Sequence, residues 1–177
     1  MKLYKMKKLN FLIVAILLIG FNGFAQDAGR SIPSTSVKNV KGEVIKTEEL
    51  NNGGKPMIID FWATWCKPCV QELNIIQENY ADWQAETGVK IIAVSTDDPR
   101  NSSKVPAFVN GRAWDFEILL DPNGDFKRAM NVNNIPHTFL VDGNGKIVWQ
   151  HASFEPGDEI HLFELVKKLA KGEKIDE

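Results

Sequence analysis

Two periods of apolar and polar positions run along the chain, and they sort it into strands and helices. Met57-Ile58-Ile59-Asp60-Phe61-Trp62 is a compact apolar run that follows the break Asn51-Asn52-Gly53-Gly54. It has the length and content of a strand buried on both faces. Val89 to Ser95 repeats the pattern and predicts a second such strand. Between them, Val70, Leu73, Ile76, Tyr80 and Trp83 recur at steps of three and four, the spacing of a helix lying on a core, with Gly88 as its stop.

The remaining segments are shorter. Val37 to Ile45, with Lys41-Gly42 in the middle, predicts a hairpin. Asp98-Pro99 has the form of a helix N-cap followed by proline, ahead of a helix through about Phe108 to Gly111. Asp121-Pro122-Asn123-Gly124 is a turn, and Phe126 to Met130 predicts a short helix. Thr138 to Val141 and Lys146 to Trp149 flank Asp142-Gly143-Asn144-Gly145, a strong hairpin signal. Asp158 to Lys171 closes the chain as a helix with Ile160, Phe163, Leu165, Val166 and Leu169 on its apolar side. Strands alternating with helices, ended by one hairpin, predict an α/β fold with a mixed central sheet and helices on its faces.

The N-terminus changes the domain count. Lys2, Lys5, Lys7 and Lys8 precede an apolar run of 11 residues from Phe11 to Phe21, and Gly23-Phe24-Ala25 follows as a small-x-small cleavage pattern. Residues 1–25 therefore predict a secretory signal peptide. The competing reading is a membrane anchor through residues 11–25, but the run is short against the roughly 20 residues that span a bilayer. Small polar residues at 26–36 predict a linker, which leaves one domain over 37–177. Removing four of the 21 basic residues leaves 17 against 23 acids, a formal charge of −6. That balance disfavours nucleic acid as a partner. The expected location is outside the cytoplasm, in a bacterial periplasm, with no stable membrane span once the signal is removed.

Both cysteines lie in the exported part, where thiols meet an oxidising compartment. Cys66 and Cys69 are separated by two residues, and so small a loop constrains the unfolded chain little, so the pair reads as chemistry more than as a staple. The buried strand runs into Trp65-Cys66-Lys67-Pro68-Cys69 and the helix follows at once. Cys66 then falls at the helix N-cap, where unpaired amides and the dipole favour a thiolate. Cys69, three residues on, faces the same side and can attack a mixed disulfide formed by Cys66. Pro68 fits the first turn, where its missing N–H costs no helical bond. Zinc is disfavoured because four ligands are needed and there is no second cysteine pair.

Asp60 to Cys69, DFWATWCKPC, resembles the active-site segment of thioredoxins. The signal peptide, Ser95-Thr96-Asp97-Asp98, Leu120-Asp121-Pro122-Asn123-Gly124 and Ile135-Pro136-His137-Thr138-Phe139-Leu140-Val141-Asp142 resemble the exported TlpA/ResA-like branch of that superfamily. The resemblance covers about residues 37–170. It implies a thioredoxin fold with an N-terminal hairpin, a central insertion between Thr96 and Met130, and a cis proline at Pro136 beside the disulfide. It also implies proton management by Asp60, as in thioredoxins, and by Glu72, as in the exported branch. Many members of that branch have asparagine where Asp60 stands and often proline where Asn74 stands.

The function this predicts is reduction of protein disulfides through a Cys66–Cys69 dithiol couple, with no other cofactor and an upstream thiol as electron donor. Cys66, Cys69, Asp60 and Glu72 are the candidate catalytic residues; Trp65, Lys67, Pro68, Ile135 and Pro136 are the candidate substrate contacts. Glu72 is also readable as a solvated first-turn carboxylate, and Asp60 as a structural strand-end one. Trp62 reads as core and only Trp65 as a contact. A copper-delivery module, with His137 joining the two sulfurs, is the alternative, although the copper branch of this fold spaces its cysteines by three residues. A peroxide reductase would need a peroxidatic cysteine in a threonine/proline-bearing loop, which is absent.

Overall fold

The structure, a computed structural model, describes residues 29–175. The signal peptide, its cleavage pattern and the 11–25 anchor reading lie outside the described residues. Eight strands form one sheet: β1 (Arg30–Ser31), β2 (Ser36–Asn39), β3 (Val44–Lys46), β4 (Met57–Trp62), β5 (Lys90–Ser95), β6 (Glu117–Leu120), β7 (His137–Val141) and β8 (Lys146–Ala152). Their order is β1-β8-β7-β4-β5-β6-β2-β3. β4 pairs parallel with β5 and antiparallel with β7, and β5 pairs parallel with β6. Among the described residues four α-helices, α1 (Lys67–Thr87), α2 (Val105–Asn110), α3 (Asp125–Ala129) and α4 (Asp158–Ala170), and two short 3-10 turns complete the fold.

All six residues of β4 are buried, because the strand lies mid-sheet with side chains feeding two cores. Ile58 and Trp62 join α1, α2 and α4 on one face. Met57, Ile59 and Phe61 join Phe126 of α3 and Phe139 of β7 on the other. Strand alternation then places Asp60, an even-numbered position, on the first face, beneath α1. Trp83 of α1 stacks on Phe163 of α4 at 4.6 Å between ring centroids, which fixes the two long helices side by side. α1 ends where Gly88 takes the left-handed conformation (φ 68°) and its N–H reaches Gln84 O.

Three expectations need correction. The segment 26–36 is no linker from Arg30 onward: β1 pairs with Lys146 and Ile147 of β8, Ile32 is buried, and Thr47 Oγ1 donates to Pro33 O at 2.5 Å. A two-residue edge strand held by one apolar anchor and side-chain bonds leaves no period to read. Asp98-Pro99 does not start a helix; Asp98 Oδ1 accepts from the amides of Arg100 and Asn101, closing a turn, and α2 begins at Val105 with Pro106 in its first turn. Glu117–Leu120 is a strand that the pattern did not separate, and it lies between β5 and β2 within the span expected to be an insertion. The Val37–Ile45 hairpin, the long helix, the Asp125–Ala129 helix and the closing helix stand where the pattern put them, within a residue or so, and the second strand of the closing hairpin runs three residues past Trp149 to Ala152.

Gly143 is a close-approach glycine in the β7–β8 turn: a Cβ there would sit 2.1 Å from Gly54 O. The two glycine-bearing turns therefore pack backbone to backbone at the sheet end remote from the cysteines.

Candidate active site

The chain leaves β4 at Trp62, turns through Ala63, Thr64 and Trp65, and enters α1. The turn is fixed from both sides. Cys66 N donates to Ala63 O at 3.0 Å, and Thr96 N donates to Trp62 O at 2.8 Å. Asp97, fully buried, accepts from the Thr64 amide at 2.9 Å, the Thr64 hydroxyl at 2.6 Å and the Ser95 hydroxyl at 2.8 Å.

Cys66 is the N-cap of α1, and its sulfur accepts from the Cys69 amide at 3.3 Å. One orphan N–H of the helix start is thereby aimed at the atom that carries charge when the pair is reduced. The two residues form a disulfide with Cα atoms 5.3 Å apart. Cys66 is 5% exposed and Cys69 0%, so attack from solvent falls on Cys66. Around the sulfurs, Trp65 is 68% exposed and Lys67 and Pro68 are exposed, forming a rim. Trp62 is fully buried against Phe108 and Trp114 and is core.

Ile135 packs against the cluster that contains both cysteines, and the Ile135–Pro136 bond is cis. The Pro136 carbonyl accepts from Ser153 N at 3.0 Å. α1 runs unbroken through Asn74, whose Oδ1 accepts from Trp114 Nε1 at 2.9 Å, so the position often held by proline in the exported branch here ties the helix to the segment before β6.

Beneath the disulfide the structure brings Asp60 and Glu72 together and adds a residue that the sequence reading did not nominate. Thr138 stands directly opposite Asp60 in the β4–β7 register. Its Oγ1 lies 2.9 Å from Asp60 Oδ2 and 2.8 Å from Glu72 Oε1. Glu72 is buried, which overturns the solvated first-turn reading: it lies on the inner face of α1 with Cys69, Leu73 and Ile76. Burial pushes the Asp60 carboxyl up to about 7, against the opposing effect of the Thr138 and Glu72 hydrogen bonds. Glu72 is held well above the carboxylate range by burial first, then by the charge of Asp60.

His137 does not join the sulfurs. Adjacent residues of a strand point to opposite faces, and His137 stacks on Phe139 at 4.5 Å on the far side of the sheet from Cys66 and Cys69. Burial lowers its pKa, and it lines a cleft of about 350 Å³ with Arg30, Asn131 and Gln150. Among the described residues no cluster of three or more His, Cys, Asp or Glu is arranged to hold a metal ion. His151 lies 3.5 Å from Asp158 and stacks on Trp149.

Comparison with known proteins gives a consistent picture. The AhpC/TSA family model matches residues 28–150. The thiol-disulfide oxidoreductase ResA of Bacillus thuringiensis (strain Al Hakam) is 30% identical over 158 residues, covering 82% of this chain and 88% of that protein. The thioredoxin-like protein YneN of Bacillus subtilis (strain 168) is 29% identical, covering 93% and 94%. The solution structure of a thioredoxin-like protein from Porphyromonas gingivalis superposes with a TM-score of 0.72 at 55% identity, covering 79% of this chain and 92% of that one.

Proposed function

The chain belongs to the AhpC/TSA family, and from that premise we propose that it is an exported thiol-disulfide oxidoreductase that reduces disulfides in protein substrates. The observation that carries the reading is a Cys66–Cys69 pair at a helix N-terminus, its outer sulfur beside an amide donor and its inner sulfur in the layer that holds two buried carboxyls.

The cycle starts with both cysteines reduced. The Cys66 thiolate attacks one sulfur of the substrate disulfide, forming a mixed disulfide and expelling the other substrate sulfur as a thiolate that takes up a proton. The Cys69 thiol then gives its proton to Asp60 and attacks Cys66 Sγ. The bond between Cys66 and the substrate breaks, the second substrate sulfur leaves as a thiolate that takes up a proton from water, and the Cys66–Cys69 disulfide remains. A thiol electron donor outside the cytoplasm returns the pair to its reduced form, and no other cofactor takes part. Trp65, Lys67, Pro68 and Ile135 make the docking surface. Pro136 has no N–H and its carbonyl is taken by Ser153, so an extended substrate strand pairs through Ile135. The signal peptide over residues 1–25 accounts for export to a periplasm, and an anchor through 11–25 is the variant of that location.

The test is turnover of a folded protein disulfide with a small thiol donor, with a copper chelator present. Turnover by the wild type, abolished in Cys66→Ser and stalled at the mixed disulfide in Cys69→Ser, supports the reading. Absence of turnover by the wild type, or its survival in Cys66→Ser, overturns it.

A further inference from the structure

Thr138 presents a single O–H, and that hydroxyl lies within hydrogen-bond distance of two carboxyl groups, Asp60 Oδ2 and Glu72 Oε1. A hydroxyl donates one hydrogen bond and otherwise accepts. Two ionised carboxylates only accept, so with both ionised one of the contacts, at 2.8 or 2.9 Å, would join two oxygens with no proton between them. Both contacts are bonds only when one carboxyl carries a proton and donates it to Thr138 Oγ1, while Thr138 donates to the other. All three side chains are buried, so water does not substitute for the missing proton.

We propose that Thr138 is a positioning residue that holds one proton between Asp60 and Glu72 and passes the proton of Cys69 through to Glu72 and out to solvent; this deepens the disulfide-reductase reading and rests on it. Exposure sets the direction: Asp60 is 0% exposed and Glu72 5%. Asp60 Oδ1 and Glu72 Oε2 are buried without a hydrogen-bond partner, which leaves one free oxygen at each end of the chain. In the resting state Glu72 is the acid, Thr138 accepts from it and donates to Asp60, and Asp60 is the charged end. When Asp60 takes the proton of Cys69, Glu72, the more exposed of the two, releases its own proton from Oε1 to solvent; Asp60 then donates to Thr138 Oγ1, and the Thr138 proton moves to the emptied Glu72 Oε1. One proton enters and one leaves, and Asp60 is a carboxylate again after that proton departs.

The groups that bear on this chain come from four elements. Cys66 and Cys69 lie on α1 with Glu72. Asp60 is on β4. Asp158 of α4 raises Glu72 through its charge, and His151 of β8 stands opposite Thr138 in the β7–β8 register, 3.5 Å from Asp158.

The proton is counted in the disulfide form, where neither cysteine titrates and no turnover is needed. Infrared difference spectra at pH 8, with Asp60→Asn and Glu72→Gln assigning the bands, should show one protonated buried carboxyl, lost in Glu72→Gln. A wild-type spectrum with none, or with two, overturns the proposal. In the reduced protein, the rate at which Cys69 resolves a trapped mixed disulfide is followed against pH. Thr138→Ser should keep the wild-type profile, and Thr138→Val should move its midpoint up by about one pH unit or more, because both carboxyls lose their partner. An unchanged midpoint in Thr138→Val means that Thr138 only packs, and overturns the relay. Loss of all reduction in the wild type leaves the proton count standing and overturns the disulfide-reductase reading alone.

Discussion

Asp97 accepts from both the amide and the hydroxyl of Thr64, two residues before Cys66, while its own strand-end neighbour Ser95 donates to the same carboxylate. One buried carboxylate on the β5 exit thus positions the turn that presents the nucleophile. An acceptor-only group suits three donors, and alanine leaves the buried amide and both hydroxyls without their acceptor. Asp97→Ala should therefore cost about 1–3 kcal/mol of stability through unsatisfied buried donors. It should also change how fast Cys66 is alkylated. Urea unfolding and thiol labelling check both; wild-type behaviour in both would show that the turn holds itself.

The strands and helices that carry these groups were legible where one period ran long enough. Met57–Trp62 and Lys67–Thr87 follow directly from apolar spacing, and Cys66 at the helix start follows from their junction. Glu117–Leu120 was not legible, because four residues between aromatic Trp114-Asp115-Phe116 and a turn become a strand only by lying between β5 and β2. The carboxyl cluster was half legible. Asp60 announces itself as an acid inside an apolar run. Glu72 looked like a solvated first-turn acid, since nothing local shows that its face of α1 is the one laid on the sheet. Thr138 is 78 residues from Asp60 and 66 from Glu72, and only the β4–β7 register brings it to both.

Stability should fall as pH rises through the Asp60 titration. Its carboxyl sits at about 7 in the folded protein against an ordinary 3.8, so between those values the folded state keeps a proton that the unfolded chain has released. The folded state is thus fully favoured below about pH 4 by this group, loses ground up to about pH 7 and levels off above it, by up to roughly 4 kcal/mol at 1.36 kcal/mol per pH unit. Asp60→Asn removes the effect. Its stability relative to the wild type should be greater at pH 8 than at pH 5, measured by urea unfolding of the disulfide form. A pH-independent difference would mean that Asp60 ionises in the fold as it does in the unfolded chain.

Cys66 should be labelled first by a limiting alkylating reagent, being the more exposed sulfur and the one beside an amide donor. Mass spectrometry of the singly labelled reduced protein reads the position. Predominant label on Cys69 would reverse the assignment of nucleophile and resolving thiol.

The pair should be a reductant more than an oxidant. Between the cysteines stand Lys67 and Pro68, both exposed, so the reduced form has one solvated cation near its thiolate and no imidazole. Strong stabilisation of the thiolate is what makes a dithiol pair oxidising, with potentials near −120 mV against about −270 mV for thioredoxin. Equilibration with glutathione should place this couple toward the lower value. Pro68→His should raise it, since a protonated imidazole beside the helix start stabilises the Cys66 thiolate. A wild-type potential near −120 mV would contradict the argument.

The two carboxyls should act on the second chemical step and not the first. Cys66 stands at the helix start, where the backbone amides favour a thiolate, whereas Cys69 is buried and must lose its proton before it attacks. Asp60 is positioned for that removal: it lies on the sheet face that carries the sulfurs, and a carboxyl at about 7 is close to evenly ionised at neutral pH, the condition in which a general base is most effective. Asp60→Asn should slow resolution of a trapped mixed disulfide by about a hundredfold, the lower range of general-base contributions, with the first attack by Cys66 changed little. Glu72→Gln should slow resolution less. Its amide can still donate to Thr138 as the protonated acid does, so the resting geometry survives while the exit for the proton is closed. Stopped-flow reduction of a chromogenic disulfide separates the two steps. Equal slowing of both steps would assign the carboxyls to holding the fold of the site, and no slowing of either would remove them from the mechanism.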